Sequence, residues 1–102
     1  MLHVSIELFV IANCVACIKT KNNINKVISK LKEEFKFGDI SIDLKVYDYD
    51  KERNKEFKIL DYPTVRMFIE INKDITLKKF TGVIKADIIY NIILTCYETN
   101  TL

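Results

Sequence analysis

The sequence has few residues that interrupt regular structure, and its charges nearly balance. It contains 2 glycines, 1 proline and no tryptophan among 102 residues, which excludes collagen-like and low-complexity chains. Sixteen basic and 14 acidic side chains leave a net charge of +2, so nothing points to nucleic acid as a partner. No apolar run approaches the roughly 20 residues that span a bilayer, and we expect no membrane segment. A signal peptide is not expected, because the N-terminal apolar run lacks a basic start and contains Glu7.

The composition is that of an ordinary globular protein. Hydrophobic residues make up 49% of the chain and charged residues 29%. A chain of this length can bury a sizeable core without disulfide staples, and we expect a single domain over residues 1–102. We expect it in the cytoplasm. In that reducing compartment its three cysteines would not form a structural framework, and a close pair of cysteines is more typical of catalysis or metal binding.

Hydrophobic periodicity predicts seven elements. Alternation with a period of two predicts strands at 4–10, 40–46, 65–71 and 75–82. Spacing of three and four residues predicts a long amphipathic helix over 18–35, a short helix within 51–60 and a closing helix over 84–96. Gly38 suits the C-cap of the long helix, and Asn72-Lys73-Asp74 is predicted as the turn between the last two strands.

The predicted order is β-α-β-α-β-β-α. The first strand-helix-strand unit must cross right-handed to a parallel partner, whereas the last two strands form an antiparallel hairpin. The order therefore predicts an α/β fold, with a mixed four-stranded sheet flanked by helices.

Two cysteines lie where the first strand passes into the long helix. With Asn13 as the N-cap, Cys14 is predicted at the first helical position and Cys17 one turn further on. Unsatisfied N–H groups and the helix dipole favour a thiolate there, so Cys14 is the predicted nucleophile. Cys17 is the predicted resolving cysteine, close enough to attack a mixed disulfide on Cys14. Lys19 and Lys21 would add little, because salt screens exposed lysines.

Three other roles for the cysteines compete with redox chemistry. Free cysteine is often buried as a small apolar residue, so the pair could simply pack at the helix start. Zinc would need two more ligands, and only Cys96 and His3 remain, so we expect no metal. Haem attachment would need a histidine where Ile18 stands. Cys96 itself falls on the apolar face of the last helix and is predicted to be a buried structural thiol.

With these features together, the chain resembles the thioredoxin-like superfamily over about residues 3–97, and it looks more like the minimal glutaredoxin-type core than full-length thioredoxin. The segment "KILDYPTVRMF" is similar to the family segment in which a proline, usually cis, faces the active-site cysteines. Pro63 fits that position, between Tyr62 and Thr64. The resemblance implies that these three residues hold an extended substrate peptide beside Cys14. In "KKFTGVIKADIIYNII", Gly82 resembles the family glycine between the last strand and the closing helix.

The chain also departs from the family pattern. Asn13 stands where thioredoxins carry tryptophan, and Val15-Ala16 between the cysteines matches neither thioredoxins nor glutaredoxins. Leu8 occupies the place of the buried acid that assists thioredoxin's resolving cysteine. These departures support an alternative, a redox-weak binding module that recognises an extended peptide at the Pro63 loop.

The resemblance implies a small thiol–disulfide oxidoreductase that transfers electrons through Cys14 and Cys17. Its expected partners are protein disulfides or glutathione-type substrates, with a reductase or glutathione as the electron donor. No other cofactor is expected. We expect it to act as a monomer.

Overall fold

The computed structural model of the chain describes residues 2–35 and 39–101. Its elements follow the predicted order. The strands are β1 (Leu2–Phe9), β2 (Ile40–Tyr47), β3 (Thr64–Ile71) and β4 (Asp74–Thr81). The helices are α1 (Val15–Glu34), α2 (Lys51–Glu56) and α3 (Ala86–Thr101). None of the described helices combines the length and apolar character needed to cross a membrane. Gly38, the predicted C-cap, lies outside the described residues.

The strands form a mixed four-stranded sheet, as predicted, and their order across the sheet is β2-β1-β3-β4. β1 is parallel to β2 and antiparallel to β3, and β3 is antiparallel to β4. Phe9, the last residue of β1, is level with Tyr47 on β2 and with Thr64 on β3. Three segments therefore meet at one end of the sheet: the loop after β1, the chain after β2 and the loop before β3.

The core lies between one face of the sheet and the two long helices. Alternate residues of β1 face it, and α1 and α3 contribute residues spaced three or four apart, as a helix stripe requires. The fully or almost fully buried side chains include Leu2, Val4, Ile6 and Leu8 of β1, Ile24, Val27 and Leu31 of α1, and Ile89 and Ile93 of α3. Burying each such side chain stabilises the fold by roughly 1.5–3 kcal/mol. This packing holds the N-terminus of α1 at the end of β1.

The opposite face carries a cluster of aromatic rings and arginine at the same end of the sheet. The Phe9 ring stacks on Tyr47 with centroids 5.1 Å apart and meets Phe57 edge-on at 6.2 Å. The Arg66 guanidinium lies 4.5 Å from the Phe57 ring centre, and its Nε donates to Glu7 Oε1 at 2.9 Å. Because Phe57 caps α2, the cluster joins this short helix to β1 and β3.

The turn between β3 and β4 is shorter than predicted. Asp74 was expected in the turn, but it is the first residue of β4 and is level with Ile71. Asn72 and Lys73 alone make the turn, with φ angles of 51° and 73°. Two consecutive positive φ values are the pattern of a type I′ hairpin turn, whose twist matches that of the strands. The glycine that usually marks such a two-residue turn is missing here, so the sequence pattern located the turn but not its length.

Candidate active site

Cys14 caps α1 instead of beginning it. The prediction that Asn13 is the N-cap and Cys14 the first helical residue is wrong by one position. Cys14 has extended backbone angles, φ −106° and ψ 99°, and the helix begins at Val15. Asn13 has φ 59°, a left-handed conformation that asparagine tolerates better than most residues. This turn places the Cys14 sulfur where a capping oxygen normally lies.

The cap makes a direct hydrogen bond to the sulfur. The backbone N–H of Cys17 donates to Cys14 Sγ at 3.0 Å. This N–H is one of the donors that a helix N-terminus leaves without an internal partner, and it lies at the positive end of the helix dipole. Both features stabilise negative charge on Cys14 once the pair is reduced.

The two predicted cysteines are joined by a disulfide. Their Cα atoms are 5.2 Å apart, well within the range that a disulfide can bridge. Cys17 is 4% exposed, whereas Cys14 is half-buried. Cys14 is therefore the member of the pair that another molecule can reach, which agrees with its predicted role as nucleophile.

The Tyr62–Thr64 loop lies at the same end of the sheet. The Tyr62–Pro63 peptide bond is cis, as the resemblance implied. Thr64 pairs with Phe9, and the chain leaves Phe9 toward Cys14. Pro63 and Thr64 are buried, whereas Tyr62 is half-buried. Of the three predicted substrate residues, Tyr62 is thus the one with appreciable surface.

Hydrogen bonds fix this loop to its surroundings. The N–H of Gly82 donates to the Pro63 carbonyl at 2.8 Å, and the Thr64 hydroxyl donates to the Asp61 carbonyl at 2.6 Å. Gly82 has φ 81°, which L side chains rarely adopt, so a glycine is favoured at the position that the resemblance singled out. The Pro63 carbonyl therefore already accepts one hydrogen bond from within the protein.

A groove of about 620 Å³ opens beside the disulfide. Both cysteines line it, together with the loop after β1, the first turns of α1 and the carboxyl end of β2. Among the described residues, its lining includes none from the Tyr62–Thr64 loop. The groove therefore lies on the β2 side of the cysteines, and the predicted substrate loop does not share it.

Sequence reasoning missed the part of this groove that comes from β2 and the residues after it. Val46, near the end of β2, and Asp48, just after it, both line the groove. The parallel pairing of β1 and β2 was the available signal, because the carboxyl ends of parallel neighbours lie at one edge of a sheet. Lys21, expected near Cys14, does line the groove.

The remaining candidate ligands lie elsewhere. Cys96 is half-buried on α3 and packs against the core, so it is less buried than predicted. His3 is exposed near the start of β1, at the end opposite Cys14. Within residues 2–35 and 39–101, no three His, Cys, Asp or Glu side chains come together as metal ligands.

Comparison with known proteins identifies the fold through structure alone. No protein-family model and no curated protein sequence matches the chain. Chloroplastic thioredoxin z superposes with a TM-score of 0.69 at 19% identity, covering 90% of this chain and 76% of that one. Thioredoxin-2 of the malaria parasite gives 0.66 at 18%, covering 92% and 84% of the two chains. Trichomonas vaginalis thioredoxin gives 0.60 at 18%, covering 90% and 78%.

The solved structures identify the fold of this chain. A mixed four-stranded sheet with three helices, matched by solved thioredoxins, is a thioredoxin-like fold. The chain carries a C-x-x-C disulfide at the N-terminus of its first helix within that fold. This combination supports thiol–disulfide oxidoreductase chemistry in general.

Proposed function

We propose that the protein is a small thiol–disulfide oxidoreductase that acts on protein disulfides through Cys14 and Cys17. The observation that carries the proposal is the disulfide between a half-buried helix-capping cysteine and a buried cysteine three residues on. Redox exchange needs this arrangement, because one sulfur must meet the substrate and the other must reach the first.

The reaction proceeds in two exchanges from the reduced protein. The Cys14 thiolate attacks one sulfur of a substrate disulfide, forms a Cys14–substrate bond and expels the other substrate sulfur as a thiolate, which takes up a proton. The Cys17 thiolate then attacks Cys14 Sγ and expels the second substrate sulfur, which is protonated in turn. The substrate gains two electrons, and the protein is left as the Cys14–Cys17 disulfide.

We assign substrate positioning to the Tyr62–Thr64 loop. Since the Pro63 carbonyl already accepts the Gly82 N–H, the main chain of Tyr62 is the part of the loop that we expect to pair with an extended substrate. The half-buried ring of Tyr62 would add an apolar contact. Thr64 acts as a positioning residue, because its hydroxyl is committed to Asp61.

We also propose an electron donor, a cellular compartment and an oligomeric state for the protein. Electrons would return to the disulfide from a protein reductase or from glutathione. With glutathione as the donor, glutathione-type disulfides would also be substrates, because the exchange is reversible. We place the protein in the cytoplasm, where thiols are kept reduced. We propose that it works as a monomer, because both exchanging sulfurs belong to one chain.

The test is to trap the substrate intermediate. In Cys17→Ser the second exchange is blocked, so mixed disulfides should accumulate on Cys14 when the reduced variant is mixed with a disulfide-containing protein such as insulin. Non-reducing electrophoresis and mass spectrometry would locate the bond. Cys14→Ser is the matched control and should trap far less, because Cys17 is buried. Failure of Cys17→Ser to form any mixed disulfide would overturn the proposal.

One observation favours a second candidate, the redox-weak binding module. Leu8 is fully buried on β1, in the place where a carboxylate would take the proton of Cys17 in the proteins that the chain resembles. Slow deprotonation of Cys17 would leave the Tyr62–Thr64 loop as the main functional surface. A protein that binds extended peptides equally well with both cysteines replaced by serine, and that turns over no disulfide, would support this candidate.

A further inference from the structure

The largest exposed aliphatic side chains around the disulfide converge on the β2-side groove. Val15 is 68% exposed, Ile18 61%, Ile11 42% and Val46 38%, and all four line this groove. Isolated exposed apolar residues are normal, whereas exposed apolar residues grouped into one patch are typical of an interaction site. The groove volume of about 620 Å³ also lies within the range of ligand sites.

The charged groups at this groove narrow the chemistry of its occupant. Lys21 and Asp48 both line it, Lys21 from α1 and Asp48 from the residue that follows β2. An ammonium donates hydrogen bonds and a carboxylate accepts them, so the pair complements the C=O and N–H groups of an extended main chain. Because the two charges oppose each other, the groove does not select for a strongly charged ligand.

The groove is continuous with the reacting sulfurs. Cys14 and Cys17 form part of its lining, so a segment that brings its sulfur to Cys14 can place a neighbouring side chain in the groove. The Tyr62–Thr64 loop lies outside the lining, and any selectivity arising in this groove is therefore separate from pairing with that loop.

We propose that the β2-side groove is a specificity site for an aliphatic side chain next to the reacting cysteine of a partner protein. This inference rests on the proposed disulfide exchange and names the kind of substrate segment that the protein prefers. Val46 and Ile18 are the specificity-determining residues. They line the groove from β2 and α1, and unlike Val15 they do not lie between the two cysteines in the sequence.

The test compares two short peptides, each with one cysteine held as a mixed disulfide with thionitrobenzoate. They differ only in leucine or serine beside the cysteine. Attack by Cys14 on the peptide sulfur breaks the bond to thionitrobenzoate, which leaves as a coloured thiolate and reports the rate. Hydroxyethyl disulfide, which is small and uncharged, measures the intrinsic reactivity of Cys14 in the same proteins.

We expect the unaltered protein to react about tenfold faster with the leucine peptide than with the serine peptide. In Val46→Asn, and separately in Ile18→Asn, this preference should fall to nearly one while the rate with hydroxyethyl disulfide is kept. Leu77→Asn is the matched control, because Leu77 is 56% exposed, between Val46 at 38% and Ile18 at 61%, but lies on β4 at the opposite edge of the sheet. It should keep the preference.

Three results would overturn the assignment. They are equal rates for the two peptides in the unaltered protein, a leucine preference that survives in both groove variants, and oxidised glutathione reacting as fast as the leucine peptide with the same dependence on Val46. The last would make the groove a site for a small thiol. If the unaltered protein does not react with hydroxyethyl disulfide at all, the proposed function is wrong, and the specificity site that rests on it is wrong as well.

Discussion

At the scale of single residues, the position of Cys14 matters more than the presence of a cysteine pair. A cysteine at the N-cap places its sulfur within hydrogen-bond distance of the Cys17 N–H, at 3.0 Å, as a capping oxygen would be. Cys17, one turn on, is sheltered by the core. The two thiols of the reduced protein therefore have different surroundings and should differ in acidity and access.

We predict that Cys14 in the reduced protein ionises well below the free-thiol pKa of about 8.5, because the helix N-terminus stabilises its thiolate. Iodoacetamide alkylation followed against pH, with mass spectrometry to locate the label, measures this directly. The label should appear on Cys14 first, and Cys14→Ser should react slowly at every pH. A midpoint at or above the free-thiol value, or earlier labelling of Cys17, would contradict the role given to the cap.

At the scale of secondary-structure elements, polar contacts supplement the core in holding α1 against α3. The Tyr90 hydroxyl of α3 donates to Glu34 Oε2 of α1 at 2.5 Å, and Lys30 Nζ lies 4.1 Å from the centre of the Tyr90 ring. Asn23 Nδ2 of α1 also donates to the Ile84 carbonyl, just before α3, at 3.0 Å. These contacts help to fix the axis of α1 and hence the position of its N-terminal cap.

We predict that Tyr90 titrates above its ordinary pKa of about 10. The hydrogen bond to Glu34 is the main cause of the raised pKa, since an ionised phenol could no longer donate to the carboxylate and would be repelled by it. The contact therefore stabilises the fold below about pH 10, and this contribution is lost as pH rises through the raised pKa. Phenolate absorbance against pH, with Tyr90→Phe to identify the signal, measures the shift.

Glu34→Gln is the control for this titration. It removes the carboxylate charge but keeps an acceptor oxygen, so the Tyr90 pKa should fall back toward its ordinary value. A Tyr90 signal at or below that value in the unaltered protein would show that the contact with Glu34 does not persist in solution.

At the scale of the whole molecule, the order of elements was predictable from the sequence because hydrophobic periodicity reports which face of each segment is buried. β1 shows this clearly: its even-numbered residues are buried, as alternation requires. The end of a helix or strand was less predictable. The start of α1 depends on a positive φ at Asn13, and the β3–β4 turn depends on two more at Asn72 and Lys73. Local backbone angles of this kind leave no periodic trace.

The site was predictable in part for a related reason. Cys14 and Cys17 are close in sequence, so their spacing alone indicated that they could meet. Val46 and Asp48 reach the same groove only through the pairing of β1 with β2, across more than 30 residues of chain. Contacts of that kind depend on which strands pair, and a single sequence with few turn residues carries little information about strand pairing.

The central claim is that Cys14 and Cys17 form a reversible redox pair, and a redox titration of the whole protein tests it most directly. The protein is equilibrated with mixtures of reduced and oxidised glutathione, quenched by acid and alkylated, and the dithiol and disulfide forms are counted by mass spectrometry. We predict one reversible two-electron transition at a potential between roughly −270 and −120 mV, the span of thioredoxin and its strongly oxidising relatives. A pair that stays fully reduced or fully oxidised across all mixtures, or that ends as separate glutathione adducts, would contradict the account.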